Sequence, residues 1–395
     1  MKGRIKVIAQ NKFAFPAFLL FISILSYGML SPWMKFFHDE YSILWFHHRA
    51  NDVTLFFEGN RPFLAYIYAP LLEILGSNSY LWSLFSILSQ WFHALCLFWL
   101  VKEIWPNNDP LAIIASMLCI VYPAFQAQFA SIMFGILFFL FSLFLLSLLF
   151  SLKALKGGEN QTFLIITSLF FSFINLSTTE YFFTLEILRY IIIWLYLNKN
   201  QIQDLYKVFL RKSLPYLMLY PPMIGWRFFQ QSVETTYNFN IGNQLSSISL
   251  PKFLNFSIDL IVDLWNVSIG AWIYALFPRH LLTDQSTMAL IITLFFCSIV
   301  ALLCFFYLRN LKSFEENTRG NNLFIFIFSL TAIIAAGIPF WIAKLPIGEH
   351  YAFSRWTIPF MLGANILIAR LILLGNKSLF AVLLTSFMIA VGVGN

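Results

Sequence analysis

Long uncharged runs, one after another, constrain this chain more than any motif does. FAFPAFLLFISILSYGML (13–30), SIMFGILFFLFSLFLLSLLF (131–150) and TMALIITLFFCSIVALLCFFYL (287–308) hold no charged residue. Each is about the 20 residues that a helix needs to cross a hydrocarbon layer roughly 30 Å thick. In lipid the backbone N–H and C=O groups must be satisfied within the segment, so such runs fold as helices. Only 11% of the residues are charged and 59% are hydrophobic, whereas a soluble domain carries roughly 25% charge. The fold class is therefore all-α, a polytopic transmembrane helix bundle with short helices in its outer loops.

The runs predict about 11 spans: 13–34, 80–101, 111–130, 131–152, 162–177, 182–197, 213–229, 288–308, 322–343, 356–375 and 379–395. A twelfth follows if 256–278 also crosses. That segment carries Asp259, Asp263 and Asn266, and is read as a re-entrant or interfacial helix on the outer side. Leaving it out keeps Lys2, Arg4, Lys6, Lys12, the Lys207–Lys212 cluster and the Arg309–Arg319 loop on one face, the inner one by the positive-inside rule. The chain then reads as one transmembrane domain over 1–395. It divides into a module 13–229 with the outer loop 35–79, an outer loop 230–287, and C-terminal spans 288–395. The first apolar stretch is longer than a signal-peptide core and no A-x-A-like cleavage site follows it, so it reads as a retained anchor.

Several chemistries find no support in the residues. Cys96, Cys119, Cys297 and Cys304 all lie in apolar runs, so neither a disulfide framework nor a thiolate metal site is expected. The net charge of +7 follows from topology rather than from a basic nucleic-acid platform, and no nucleic-acid partner is implied. No Walker or dinucleotide fingerprint appears. His38, His47, Asp39, Glu349 and His350 could in principle gather round a metal, yet none of their spacings matches a zinc signature. No metal and no cofactor is assigned.

Acidic residues collect on the opposite face from the basic ones. FFHDEYSILWFHH (36–48) sets Asp39 and Glu40 just beyond the first span. A carboxylate there, partly shielded from water, suits a general base acting on an acceptor hydroxyl, and an adjacent carboxylate raises its proton affinity. A solvated helix end is the plain alternative. EGNRPF places Arg61 before Pro62, which predicts a helix starting at 62 and a cation for a phosphate or for a carboxylate such as Asp39. STTEYFFTLEILRY puts Glu180 at the outer end of a span, with Glu186 and Arg189 spaced to pair with each other. YPPMIGWRFF carries Arg227 in a span that Pro221 and Pro222 should break. LPIGEHYAFSRWTIPF adds Glu349, His350 and Arg355 before another span, where an arginine can hold a lipid phosphate bidentately or merely snorkel to headgroups.

The Asp-Glu pair closing the first span, with GNRPF, TEYFFTLEILR and SRWTIPF all on the outer side, resembles the GT-C integral-membrane glycosyltransferases of the protein O-mannosyltransferase and aminoarabinose transferase type. The resemblance makes 13–229 a GT-C-like catalytic module. It implies an inverting enzyme that moves a sugar from a polyprenyl-phosphate carrier to a glycan, lipid or protein acceptor on the extracytoplasmic side of the cell membrane. Asp39 matches the family's catalytic carboxylate and Glu40 its acidic neighbour; Arg61, Glu180, Arg227, Glu349, His350 and Arg355 are the candidates for substrate binding. An O-antigen polymerase or ligase-like enzyme is the nearest alternative. A lipid or sugar transporter is another, although it would be expected to carry ionisable residues near the bilayer midplane.

Overall fold

The computed structural model describes residues 13–29, 31–58, 61–232, 250–277, 287–311, 322–343, 345–348, 351–375 and 378–394. Among them there is no strand. Helix α1 (Ala14–Ser23) runs into a π-turn at Ile24–Gly28. Four helices follow: α2 (Asp39–Arg49), α3 (Thr54–Phe57), α4 (Pro62–Leu75) and the long α5 (Ser79–Ile104). Helix α4 starts on the expected proline, whose missing N–H costs nothing in a first turn. Helix α5 starts where the Asn78 side chain accepts from the N–H groups of Tyr80 and Leu81 at 3.0 and 3.3 Å, two donors that have no partner inside the helix.

Next come α6 (Asp109–Ile120), α7 (Ser131–Leu155), α8 (Gln161–Thr178), α9 (Ile187–Lys199), α10 (Leu205–Leu217) and α11 (Tyr220–Ser232). The remaining elements are α12 (Leu250–Trp265), a π-turn, α13 (Ala271–Leu276), α14 (Thr287–Arg309), α15 (Asn322–Ile342), α16 (Tyr351–Ser354), a 3-10 segment (Arg355–Phe360), α17 (Met361–Leu373) and α18 (Ser378–Gly394). Eight of the described helical stretches are long and apolar enough to cross a membrane.

Water cannot drive helices together inside lipid, so close packing must do so. Helices α5, α7 and α8 lie side by side, and α15 packs along α17. A Cβ added at Gly135 of α7 would meet the Phe85 ring at 3.0 Å and the Ser86 Cα at 3.1 Å. At Gly363 of α17 it would meet the Ser329 carbonyl oxygen of α15 at 2.6 Å. Both glycines are required by backbone proximity rather than by turn geometry.

Three expected spans differ from the helices observed. Over 111–130 the helix stops at Ile120, and 121–130 continue as mostly buried turns. Irregular backbone is tolerated at such depth where protein surrounds it. Over 182–197 the chain opens with turns and a 3-10 segment, Thr184–Glu186, before α9. Over 213–229 the helix breaks between Leu217 and Tyr220, and Pro221 and Pro222 fall in the first turn of α11. The expected proline break therefore lies at the junction of two helices.

Of the 256–278 segment, 256–276 is helical, and Ile258–Leu276 is long and apolar enough to cross. It packs on the bundle: the Tyr122 hydroxyl donates to the Val267 carbonyl, and the Trp341 indole donates to Asp263 at 2.9 Å. Trp226 of α11 packs on Phe63 at 5.1 Å. Helix α14 passes Gly394 at Thr293 and Cys297 and ends with Tyr307 stacked on Phe18 of α1.

The expected pair of Glu186 and Arg189 is fully enclosed. Arg189 is 0% exposed and donates to both Glu186 oxygens at 2.7 and 2.9 Å, and to Ser147, Ser168 and Ser172. Its guanidinium lies 4.4 Å from the centre of the Tyr216 ring. A buried charge is tolerable only when its partners are this complete.

Candidate functional site at one end of the bundle

Four connections converge on one end of the bundle: α1 to α5, α6 to α7, α8 to α9, and α15 to α17. The cross-links between them are specific. Glu40 accepts from the Ile132 N–H at the start of α7, and Arg61 pairs with Glu180. Tyr181 packs on Trp356 at 5.4 Å, and the Thr357 hydroxyl donates to the Ala124 carbonyl at 3.1 Å. The opposite end holds a different set, the ion pairs Lys102–Asp109 at 3.3 Å and Lys156–Glu103.

Helix α2 forms because its charges complement its dipole, with Asp39 and Glu40 in the first turn and His47, His48 and Arg49 in the last. His38, the residue before it, sits at φ +46°, ψ −112°, a conformation that costs a non-glycine residue about 1–3 kcal/mol. What holds this turn is Glu40, which is 0% exposed. One carboxylate oxygen accepts from the Phe37 N–H at 2.7 Å, while the other accepts from the Ile132 N–H at 2.5 Å. Ile132 lies in the first turn of α7, where backbone N–H groups lack helical partners and favour a negative group. Burial pushes the Glu40 carboxyl up to about 7; the donors Phe37, Ile132 and Met133 oppose this and the Asp39 charge adds to it.

Glu40 is thus turned into the protein. It acts on Asp39 by fixing the backbone that carries it. Asp39 points the other way: its side chain is 49% exposed and stands 3.4 Å from the Nδ1 of His38.

Arg61 was expected to meet a phosphate or a carboxylate such as Asp39. The carboxylate it meets is Glu180, through its Nε at 3.1 Å and a close second bond from Nη2, and it lies 5.3 Å from the centre of the Tyr181 ring. Burial works against the Arg61 charge, but Glu180 and Tyr181 outweigh it and raise its proton affinity. Arg355 differs. Its guanidinium lies 4.3 Å over the Trp356 ring, its Nε is buried without a hydrogen-bond partner, and it has no carboxylate partner among the described residues. Burial raises the Tyr181 hydroxyl; Arg61 lowers it, Glu180 raises it and Arg355 lowers it.

Two tyrosines join these residues. Tyr68 of α4 is 3% exposed; its hydroxyl is raised by burial and then by Glu40, lowered by Arg61, and raised by Tyr181 and Asp39. Tyr181 carries the set on to Glu180 and Arg355. Through these two tyrosines Asp39, Glu40, Arg61, Glu180 and Arg355 are linked electrostatically. Of the others, Arg227 lies on α11 with its side chain outside the described part of the structure, and Glu349 and His350 lie outside the described residues.

Tyr68, Tyr181 and Trp356 were missed by residue-level reading. Tyr181 and Trp356 stand directly after Glu180 and Arg355, a weak signal, and Tyr68 sits in an apolar helix with no signal at all. Among the described residues, no three His, Cys, Asp or Glu side chains gather as metal ligands. His48 instead bonds the Ser77 hydroxyl at 2.5 Å. No protein-family model matches the chain, and neither a curated protein nor a solved structure matches it.

Proposed function

We propose that this chain is an inverting membrane glycosyltransferase that moves a sugar from a polyprenyl-phosphate carrier to an acceptor hydroxyl at the end of the bundle described above. The observation that carries the reading is a division of labour inside one cluster. Asp39 is an accessible carboxylate on a backbone fixed by Glu40, and Arg355 is a cation without a carboxylate partner among the described residues.

In this reading Asp39 takes the proton from the acceptor hydroxyl as its oxygen attacks the anomeric carbon. The bond from that carbon to the phosphate oxygen breaks on the opposite face, and the phosphate leaves with the electron pair. Arg355 then offsets the charge developing on the phosphate, where a planar donor fork is worth more than a point charge. The proton on Asp39 is lost to water after the product leaves. Arg61 and Glu180 satisfy each other and act as a brace that positions Tyr181. Reaction on the extracytoplasmic side of the cell membrane is part of this reading. It rests on the positive-inside rule and is supported by the placement of Lys102 and Lys156 at the opposite end of the bundle.

The test separates binding from turnover. Asp39→Asn keeps the shape and removes the base, so transfer from a polyprenyl-phosphate sugar should fall about 10²–10⁴-fold with donor binding retained. Arg355→Lys should weaken donor binding. Transfer by Asp39→Asn within a few-fold of the parent protein would overturn the reading, and the polymerase-type or transport alternatives would then lead.

A further inference from the structure

The end of the bundle that holds the Lys102–Asp109 and Lys156–Glu103 pairs carries a second feature, independent of the chemistry proposed above. The end of α7, the start of α8 and one side of α10 leave a cleft of about 220 Å³ between them. Ser151 of α7 and Gln161 of α8 line it, together with Arg211, Lys212 and Tyr216 of α10. On α10 these three stand at i, i+1 and i+5 and share the side of the helix that turns toward the bundle.

Three sources of positive charge meet at this cleft. Arg211 and Lys212 are two of them, and neither has an ion-pair partner among the described residues. The third is the start of α8, a helix of 18 residues whose first turn holds no acidic residue and whose preceding Asn160 makes no side-chain cap. The Gln161 and Leu164 N–H groups donate to the Gly158 and Asn160 carbonyls at 3.1 and 3.0 Å. Those of Thr162 and Phe163 are left for water or a ligand, at the positive end of the helix dipole. Among the described residues no carboxylate lines the cleft. Glu159 and Asp204, which precede α8 and α10, are exposed and stand outside its walls.

We propose that this cleft binds a phosphate group, held by Arg211 and Lys212 against the start of α8. A phosphate offers three acceptor oxygens, where a carboxylate offers two. The planar arginine fork can take a pair of them, the lysine ammonium a third, and a helix start favours the negative charge. Pockets for drug-sized ligands run from about 300 to 1,000 Å³, so this one suits the phosphate and little besides. Inorganic phosphate from the aqueous phase and the headgroup of a phosphatidic acid share this chemistry, and the experiment has an arm for each.

In the first arm the full-length protein in detergent is dialysed to equilibrium against radiolabelled inorganic phosphate at constant ionic strength. In the second it is exposed to vesicles of phosphatidylcholine and phosphatidic acid at four to one, re-extracted, and its retained lipids are counted by native mass spectrometry. Saturable binding in the first arm assigns the site to soluble phosphate; preferential retention of phosphatidic acid in the second alone assigns it to a lipid headgroup. In either arm the Arg211→Gln/Lys212→Gln variant should weaken binding about 4- to 25-fold, since each half-exposed charge contact is worth roughly a two- to fivefold factor. The charge-preserving Arg211→Lys/Lys212→Arg variant should stay within a few-fold, which separates lost charge from lost folding. Lys207→Gln, on the same helix but outside the cleft, should bind as the parent protein does. Binding in neither arm, binding unchanged in the double glutamine variant, or an equal loss in Lys207→Gln would overturn the proposal.

Discussion

Removing the Glu40 carboxylate should release α2 from the bundle without unfolding the bundle itself. Helix α2 packs on α3 and α4 within its own loop. Besides the buried side chains of Ile43 and Leu44, it is tied to the rest of the molecule by Glu40 and by Phe37, whose ring meets Phe129 edge-on at 4.7 Å. Glu40→Ala strands the Phe37 and Ile132 N–H groups, which now donate at 2.7 and 2.5 Å. Above about pH 7, where Glu40 is ionised, a hydrogen bond to a charged acceptor is worth about 1.5–3 kcal/mol, so two bonds lost near the lower end amount to about 3 kcal/mol. At about 1.4 kcal/mol per decade, amide exchange at Phe37 and Ile132 should accelerate by about two decades. Exchange within α5 and α7 beyond the first turn should barely change. Glu40→Gln keeps one acceptor oxygen and turns an NH₂ toward the other donor, so it should lose roughly half as much. Glu40→Asp is one methylene short of α7 and should resemble alanine. Hydrogen exchange read by mass spectrometry on the detergent-purified protein is the assay. Unchanged exchange at both amides in Glu40→Ala, or acceleration spread evenly over the bundle, would refute the tether.

Three further expectations follow from the same geometry. Arg189→Met should cost about 3–5 kcal/mol by leaving Glu186 charged and buried, whereas the double change Arg189→Met/Glu186→Leu should recover much of that loss; thermal unfolding in detergent measures both, and additive costs would count against the pair. Arg61 and Glu180 side chains are 22% and 42% exposed, so a double-mutant cycle with Arg61→Gln and Glu180→Gln should give a coupling of about 1 kcal/mol or less that shrinks with added salt. Because Glu40 rises from 4.5 to about 7 on folding, the folded chain binds the extra proton between those values. The contribution, on the order of 3 kcal/mol, is full below about 4.5 and lost as pH rises through about 7. Stability compared between about pH 5 and pH 8 should fall in the parent protein and stay flatter in Glu40→Gln, and parallel pH profiles would remove Glu40 as the group responsible.

The helical bundle was legible because lipid leaves the backbone few choices, and an uncharged run of sufficient length already states the outcome. Where the runs misled, the cause was burial in protein rather than in lipid. VYPAFQAQFA (121–130) reads as the second half of a span, yet most of it is enclosed by neighbouring helices and can afford to be irregular. A hydropathy pattern reports that a residue avoids water and is silent about whether lipid or protein surrounds it.

The same limit explains what was legible at the candidate site. Charged residues beside apolar runs are conspicuous, so Asp39, Glu40, Arg61, Glu180 and Arg355 could be picked out one by one. Their pairings could not be read, because each depends on distances between segments far apart in the chain: Glu40 to Ile132 spans 92 positions and Arg61 to Glu180 spans 119. Those pairings decide the roles. Two carboxylates that look alike in the sequence separate into a buried tether and an accessible group, and two arginines into a satisfied brace and a cation lacking a carboxylate partner among the described residues. Asp39 and Arg355 are what remains once internal partners are assigned to Glu40 and Arg61, so on the proposed function substitutions at those two should affect transfer first and stability second, with the order reversed at Glu40 and Arg61.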